Sequence, residues 1–483
     1  MTSPSLVWFR CDLRLADHPA LNAALRQGGP VVPVFVHAPE EEAPWAPGGA
    51  SRWWLHQSLR ALDHSLREVG SRLIIRNGPT LETLMALAKE TGARAVQWSR
   101  RYEPAVIARD AKIKEALRAA GIDAESHNAA LLHEPWTIQN QSGKPFQVFT
   151  PFWKHCLAKS DPSDPLPAPK NLPATAKWPK SLALDALELE PKKKWAEGMR
   201  TAWQPGETGA SASLKRFVTA AFEDYSAQRN RPDLAGTSRL SPHLHFGEIS
   251  PRQVWYAVRR RAEKRGLSLL PWRSSQFLAE IGWREFAHHL LYHFPRTPTE
   301  PLRADFRTFR WRKDAAWLAA WQKGRTGYPI VDAGMRELWT TGWMHNRVRM
   351  IVASFLVKDL LLSWQEGAAW FWDTLVDADL AQNTLGWQWT AGCGADAAPF
   401  FRIFNPVLQG EKFDPLGAYV RRWCPELAKL PDKWLHQPDK APPTILIAAG
   451  VELGRSYPEP IVSHHIAREV ALEAFAGIKT GSE

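Results

Sequence analysis

Two patterns of hydrophobic positions follow one another along the chain. In the first 130 residues, short apolar runs alternate with segments whose apolar positions recur every three or four residues. The runs at 6–10, 31–37, 72–76 and 94–99 predict buried strands, and the segments between them predict helices. Because strand–helix alternation indicates a parallel sheet with helices on both faces, we expect a Rossmann-like α/β domain at residues 1–133.

The pattern changes in the middle of the chain. Residues 160–205 are rich in proline and lysine, which is typical of a segment that wraps a surface. Beyond them the apolar positions keep a helical period and strand signals disappear. We therefore expect an interdomain linker at 134–205 and an all-helical domain at 206–483. The segment 441–462 predicts a closing helix and an extended tail.

Charge and aromatic content narrow the class of function. The formal net charge is +11, which makes a polyanion such as nucleic acid a reasonable partner. The chain has 25 tryptophans but 7 tyrosines. Indoles stack on other π-systems and are easily oxidised, so they offer a route for electrons. A core that simply favours indoles is the alternative.

The spacing of the cysteines and the absence of long apolar runs indicate in which cell compartment the protein lies. The four cysteines form no CxxC pair, which argues against structural zinc or a disulfide framework and fits a reducing cytosol. The first residues show no export signal, and every apolar run is interrupted before 18 residues. The sequence thus predicts a cytoplasmic protein without membrane association.

A polar loop and two helical segments carry candidate binding groups. The loop at 236–250 offers hydroxyls and backbone N–H groups for an anion, although a plain helix cap is the alternative. Glu280 and Trp283 share a helical face and suit a planar heterocycle, or else they are a surface acid beside a core indole. Asn346 and Met350 share the next such face.

The stretch DADLAQNTLGWQW at 377–389 places two aspartates directly after an apolar segment. An unpaired buried charge is costly, so these acids need a partner, and Arg349 is a natural one. His345 and the pair His288–His289 are interpreted as structural, because they lack a third ligand at metal spacing. No metal site is predicted.

Taken together, these stretches resemble one known family. TSRLSP, EIGWREF, TGYPIVDAGMRELWTTGWMHNRVRM, DADLAQNTLGWQW and RIFNPVLQGEKFDP are similar to the FAD domain of the photolyase/cryptochrome flavoproteins, and VWFRCDLRLADHPAL is similar to their N-terminal signature. The resemblance implies an α/β antenna domain joined to an all-helical domain that holds U-shaped FAD.

The resemblance also implies site residues. Those expected to hold FAD are Tyr225, Thr237, Ser238, Leu240, Ser241, Arg284, Arg349, Asp377, Asp379 and Asn383, with Asn383 against flavin N5. Those expected to line the substrate cavity and act on the substrate, together with Asn383, are Glu280, Trp283, Asn346, Met350 and Trp389. The implied electron-transfer triad is Trp387, Trp364 and Trp311. The implied DNA-backbone contacts are Arg229, Arg347 and Arg402.

The implied activity is light-driven repair of UV-damaged DNA by a monomer. A cyclobutane pyrimidine dimer would be split by electron transfer from photoexcited reduced FAD, the reaction of a deoxyribodipyrimidine photo-lyase. A blue-light receptor of the cryptochrome type, without repair, is the alternative. A flavin-binding or single-strand-binding protein without photochemistry is a third possibility, which the intact triad disfavours.

Three positions discriminate among these members. Plant cryptochromes have Asp at the position of Asn383 and Tyr at that of Trp389. The (6-4) photolyases have His at the position of Asn346. Much of the remaining sequence is similar to plant cryptochromes, whereas the cavity residues are those of a cyclobutane-dimer photolyase. This combination resembles the bacterial class III photolyases, or a class I enzyme close to them.

An antenna chromophore is also implied, with a folate (methenyltetrahydrofolate) favoured over a deazaflavin. The Asn–Glu pair that contacts folate in class I enzymes is replaced by Ala105 and Val106. We expect the site near Glu40, Glu41 and Arg52, which could equally be surface residues.

Overall fold

Five short strands near the N-terminus form one parallel sheet. The computed structural model describes residues 3–191, 194–266 and 272–480. The strands are β1 (Ser5–Phe9), β2 (Val31–His37), β3 (Ile74–Asn77), β4 (Ala95–Ser99) and β5 (Asp123–His127). They lie in the order β3-β2-β1-β4-β5, and every neighbouring pair is parallel. The four predicted runs become β1 to β4, and β5 was not predicted.

Helices cover both faces of the sheet. They are α1 (Pro19–Arg26), α2 (Gly49–Glu68), α3 (Thr80–Thr91) and α4 (Pro104–Ala119). Proline opens α1 and α4, where its missing N–H has no helical partner to lose, and α3 ends at Gly92 in the left-handed region. Alternate β1 residues enter different cores, Val7 and Phe9 on one face and Leu6 and Trp8 on the other. The α/β expectation is confirmed.

The segment that follows the sheet contains helices as well as a wrapping chain. It includes α5 (Phe149–Ala158) and α6 (Glu197–Ala202). Phe152 and Trp153 of α5 are buried in a core of the helical domain, so this part of the predicted linker is an integral packing element. Residues 160–183 form no helix or strand, and their backbone bonds to the α/β domain, as from Val31 N to Pro173 O.

The rest of the described chain is helical. Its helices are α7 (Glu207–Ala220), α8 (Tyr225–Gln228), α9 (Ser241–His245), α10 (Pro251–Lys264), α11 (Gln276–His293), α12 (Ala315–Gln322), α13 (Pro329–Thr341), α14 (Asn346–Ser354), α15 (Trp364–Thr374), α16 (Leu380–Ala391), α17 (Pro406–Phe413), α18 (Ala418–Trp423), α19 (Asp432–Leu435), α20 (Pro443–Ala449) and α21 (His464–Thr480). The predicted closing helix corresponds to α20. The predicted tail after it is followed by α21, a long helix that the sequence analysis missed.

A buried carboxylate joins the two domains. Glu248, which is fully buried, accepts hydrogen bonds from Trp54 Nε1 at 2.9 Å and Ser58 Oγ at 2.7 Å in α2. The same oxygen accepts the Gly206 N–H at 2.7 Å, at the start of α7. These bonds satisfy the acid and fix the α/β domain on the helical domain. Across the described ranges, each helix is too short or too polar to traverse a lipid bilayer.

Candidate cofactor and substrate cavity

Most of the residues expected at the site surround one cavity in the helical domain. Its volume is about 500 Å³. The predicted residues in its wall are Tyr225, Arg229, Ser238, Leu240, Ser241, Glu280, Trp283, Arg284, Asn346, Arg349, Met350, Asp377, Asp379, Asn383, Trp387 and Trp389. They come from the segment around α8 and α9 and from α11, α14 and α16. Thr237 and the outer tryptophans Trp364 and Trp311 are not among its wall residues.

Asp377 has the partner that the sequence called for. Its side chain is 2% exposed, and Arg349 Nη2 donates to its two oxygens at 2.8 and 3.1 Å. Arg349 Nε donates to Met344 O at 2.8 Å, which fixes the guanidinium from the other side. A buried acid is tolerated here because it is both charge-paired and hydrogen-bonded.

Asp379 lies at the start of α16 and faces two histidines. It accepts the Gln382 N–H at 2.9 Å as an N-cap. His245 Nδ1 and His288 Nε2 each lie 3.5 Å from its Oδ2. Burial alone would raise the pKa of Asp379, but His288, His245 and Arg284 outweigh it and hold the pKa well below its ordinary value. His245 was missed as a site residue, although it lies in the polar loop that the sequence analysis singled out.

The polar loop before α9, proposed from the sequence as an anion site, contains a second residue that the sequence analysis did not name. Arg239 has a φ of 53°, which a side-chain-bearing residue rarely adopts. Its guanidinium lies 4.1 Å from the ring centre of Trp203 and 4.9 Å from that of Trp343. Trp343 Nε1 in turn donates to Ser241 Oγ at 3.3 Å. Two cation–π contacts therefore hold the backbone that carries Ser238 and Ser241.

The three electron-transfer candidates differ in burial, and only one of them lines the cavity. Trp387 lines it and is 2% exposed, while Trp364 is equally buried as the first residue of α15. Trp311 is half-buried, and the next residue, Arg312, donates its N–H to Leu361 O at 2.8 Å. This backbone pairing brings the segment of Trp311 next to the chain that enters α15.

Glu280 and Arg229 form an ion pair inside the cavity wall. Their closest atoms, Glu280 Oε1 and Arg229 Nη1, are 2.5 Å apart, and Gln276 Nε2 donates to the same oxygen at 3.1 Å. Burial raises the pKa of Glu280, and Arg229 and Gln276 counteract part of that rise. Trp283 stacks face to face on Phe149 of α5, with ring centres 3.9 Å apart. The segment between the domains thus supports one wall of the cavity.

Arg347 and Arg402 lie outside the cavity wall. Arg347 Nη2 and Nε donate to Asn230 Oδ1 at 2.9 and 3.2 Å. Arg402 is exposed, and its carbonyl accepts a hydrogen bond from Lys358 Nζ at 3.0 Å. The buried lysine therefore holds the loop from which the Arg402 side chain extends.

The residues expected at an antenna site are divided by the structure. Glu40 and Arg52 line a second cavity of about 450 Å³ between the domains. Glu41 is not in that wall, and its carboxylate accepts the Thr80 N–H at 2.8 Å and the Thr80 hydroxyl at 2.5 Å. Ala105 and Val106 instead line a smaller cavity of about 300 Å³. His245 is in the walls of both larger cavities, so they are separated by a thin layer.

The side chains that line the cavity of the helical domain indicate the kind of ligand that it can bind. Within the described residues there is no group of three His, Cys, Asp or Glu side chains placed to hold a metal ion. The indoles of Trp283, Trp387 and Trp389 instead face a cavity that also contains carboxylates, guanidinium groups and hydroxyls. The fold and the cavity define a two-domain protein with a site suited to a large heteroaromatic ligand with polar substituents.

Comparison with known proteins identifies this class more closely. The family described as "FAD binding domain of DNA photolyase" matches residues 277–477, and "DNA photolyase" matches residues 5–170. A deoxyribodipyrimidine photo-lyase of Agrobacterium fabrum is 51% identical over 99% of this chain and 98% of its own. Cryptochrome-1 of Arabidopsis thaliana is 43% identical over 99% of this chain and 72% of its own.

Solved structures agree with these relatives. The crystal structure of a bacterial class III photolyase from Agrobacterium tumefaciens superposes with a TM-score of 0.95 at 50% identity, covering 99% of this chain and 98% of that one. The chain therefore belongs to the DNA photolyase/cryptochrome family and is a flavoprotein whose cofactor is FAD.

Proposed function

We propose that the protein is a deoxyribodipyrimidine photo-lyase, which splits cyclobutane pyrimidine dimers in UV-damaged DNA under light. The observation that carries this proposal is that two sets of residues line one cavity. The first set contains Asp377, Arg349 and Asn383, and the second contains Glu280 and Trp389. The first set suits a flavin and the second suits a pair of pyrimidines. The cofactor and the lesion would therefore meet inside the protein.

The residues present fit FAD. Asp377, Asp379 and Arg284 line the cavity together with several indoles. The flavin ring has N–H and carbonyl groups on a flat aromatic system, so it needs both polar partners and aromatic surfaces. Gly386 also lines the cavity, and a Cβ there would meet no protein atom within 4 Å, so the wall is open to a flat ring at this point. Bound and reduced FAD would supply the light-driven electron for repair.

Asn383 is the residue we assign to flavin N5. Its Nδ2 donates to Ala368 O at 3.0 Å in α15, which fixes the plane and direction of its amide. An amide cannot readily give a proton to N5, in contrast to an aspartic acid in the same place. We assign Tyr225, Thr237, Ser238, Leu240 and Ser241 to the phosphates and ribityl chain.

The energetics of lesion capture favour this cavity. Flipping a damaged dinucleotide out of a duplex costs a few kcal/mol, and least where stacking is already poor. Stacking on an aromatic side chain returns about 1–3 kcal/mol per base, and Trp283 and Trp389 both line the cavity. Arg347 and Arg402, outside it, would contact the backbone and add affinity that falls with salt. The net charge of +11 acts in the same direction.

Glu280 is proposed to bind the edge of the flipped pyrimidines. Arg229 now holds it in the cavity wall, so the carboxyl is in place before a lesion enters. An electron received by the dimer breaks the two C–C bonds between the pyrimidines and returns after cleavage, so the repair has no net redox change. Asn346 and Met350 complete the wall around the lesion.

The remaining assignments follow the same resemblance. We propose that Trp387, Trp364 and Trp311 carry electrons inward when the flavin is photoreduced. We propose a folate antenna, methenyltetrahydrofolate, in the interdomain cavity beside Glu40 and Arg52. The protein would act as a monomer in the cytoplasm.

A repair assay with two defined lesions tests the proposed function. DNA with a single cyclobutane dimer and DNA with a single (6-4) product are incubated with reduced protein, in blue light and in the dark. We expect light-dependent repair of the first substrate alone, and a lower repair yield for Glu280→Gln. A protein that retains flavin photochemistry but repairs neither lesion would be a receptor of the cryptochrome type instead.

A further inference from the structure

One glycine lies directly against the innermost tryptophan. A Cβ added to Gly367, in α15, would be 2.0 Å from Cη2 of Trp387, 2.4 Å from Cζ3 and 2.5 Å from Cζ2. Real Cβ contacts essentially never fall below 3.0 Å. The six-membered ring of Trp387 therefore rests on the backbone of α15, and only a residue without a side chain leaves space for it.

The indole of Trp387 has little room to move elsewhere. Trp321 is fully buried with its ring centre 6.2 Å away, and its Nε1 donates to Val352 O at 3.0 Å. Phe371 is one turn beyond Gly367 on α15 and lies edge-on to Trp387 at 5.0 Å. The remaining side is the cavity wall, which bound FAD would close. Because interiors are close-packed, an added methyl must displace the indole from its rotamer.

The same helix also positions Trp364 of the proposed electron route and Asn383, the residue assigned to flavin N5. Trp364 begins α15 three residues before Gly367, so the two share one helical face. The carbonyl of Ala368, the next residue, accepts the hydrogen bond from the Asn383 amide. A single turn of α15 thus holds both Trp387 and Asn383 at the cavity.

We propose that Gly367 is a positioning residue for flavin photoreduction, because its missing side chain sets the place of the Trp387 indole. This inference rests on the electron-transfer role proposed for Trp387. In that role one electron leaves the indole for the light-excited cofactor. It is replaced through Trp364 and Trp311 by an electron from a soluble thiol, which releases its proton to solvent and becomes a thiyl radical. Two such radicals combine to a disulfide, and no bond is formed or broken in the protein.

Gly367→Ala in flavin-loaded protein tests the proposal. We expect thiol-dependent photoreduction to slow by about tenfold to a hundredfold, since misplacing a reacting group by about 1 Å can cost about a hundredfold in rate. The fluorescence lifetime of the bound oxidised flavin should lengthen, because a displaced indole quenches it less. Repair by chemically pre-reduced protein should be retained. The matched control is Gly477→Ala in α21, where an added Cβ meets nothing within 4 Å, so photoreduction and lifetime should stay as in the parent protein.

A second variant keeps the test informative if Gly367→Ala folds poorly or loses flavin. Gly367→Ala/Trp387→Phe gives the new methyl space, so it should recover flavin retention and thermal stability relative to Gly367→Ala alone. Unchanged photoreduction and lifetime in Gly367→Ala would overturn the proposal. If Gly367→Ala folds poorly or loses flavin, a double variant that is no better than the single one would overturn it as well. Trp387→Phe alone tests the electron route: normal photoreduction in that variant would refute the route itself.

Discussion

Replacing Arg349 by methionine tests whether the buried acid of the cavity depends on a single partner. The Asp377 side chain is 2% exposed, and the Arg349 guanidinium lies 2.8 Å from its nearer oxygen. Methionine keeps much of the length of the arginine side chain but removes the charge and the donors. Arg349→Met therefore takes the counter-charge from a carboxylate that water scarcely reaches.

The magnitude follows from that burial. Removing one member of a buried ion pair costs about 3–5 kcal/mol, because the other charge stays desolvated. The Arg349 side chain is 24% exposed, so solvent screens part of the interaction. We therefore expect the free energy of unfolding to fall by about 3 kcal/mol, the lower end of that range. Arg349→Met/Asp377→Asn removes both charges, and since an amide needs no counter-charge, it should regain most of that loss.

Urea unfolding followed by tryptophan fluorescence measures this effect, with flavin retention as a second readout. Arg349→Met should shift the unfolding midpoint strongly and release flavin more readily, and the double variant should lie between it and the parent. A single variant within about 1 kcal/mol of the parent, the usual range for an exposed ion pair, would refute the reasoning. A double variant that is no more stable than the single one would do the same.

Three further predictions concern acid stability, photoreduction and DNA binding. Burial lowers the pKa of His345 from 6.5 to about 4, so the folded protein should lose up to about 3 kcal/mol as the pH falls through this window. His345→Asn keeps an acceptor for the Arg347 N–H, and it should remove this share of the pH dependence of the urea midpoint; an unaltered dependence would contradict the assignment. Trp364→Phe should block photoreduction by thiol under blue light yet leave repair by pre-reduced protein intact; lost repair in that state argues against its role. Arg402→Ala should reduce the slope of log affinity against log salt by about one, and an unchanged slope counts against a phosphate contact.

Buried strands were predicted where apolar residues dominate a short run. Runs of this kind mark β1 to β4, which are covered by helices on both faces. The edge strand β5 has only Ala124 fully buried among polar neighbours, so it has no such signal. The helix α21 was missed for a different reason. The prediction ended with an extended tail at 462, and the prolines in that tail, Pro458 and Pro460, disfavour helix before His464.

The sequence indicated which residues line the cavity, but it indicated few of the contacts between them. Motif resemblance supplied residue types and positions, and the pairing of Arg349 with Asp377 followed from the cost of a buried acid. The histidine partners of Asp379 come from α9 and α11, far away in the chain, so the sequence around Asp379 does not indicate them. The ion pair of Arg229 with Glu280 in the cavity wall was not predicted either, and the contact of Arg229 with the DNA backbone stays a prediction.

The fluorescence lifetime of the reduced flavin is the most direct test of the central claim that a dimer enters the cavity and meets the cofactor. Pre-reduced protein is mixed with DNA that carries one cyclobutane dimer, or with the same DNA undamaged. Electron transfer to a dimer in the cavity shortens the lifetime, so we predict quenching by the damaged DNA alone. An equal lifetime with both DNAs, at concentrations where both are bound, would contradict the account.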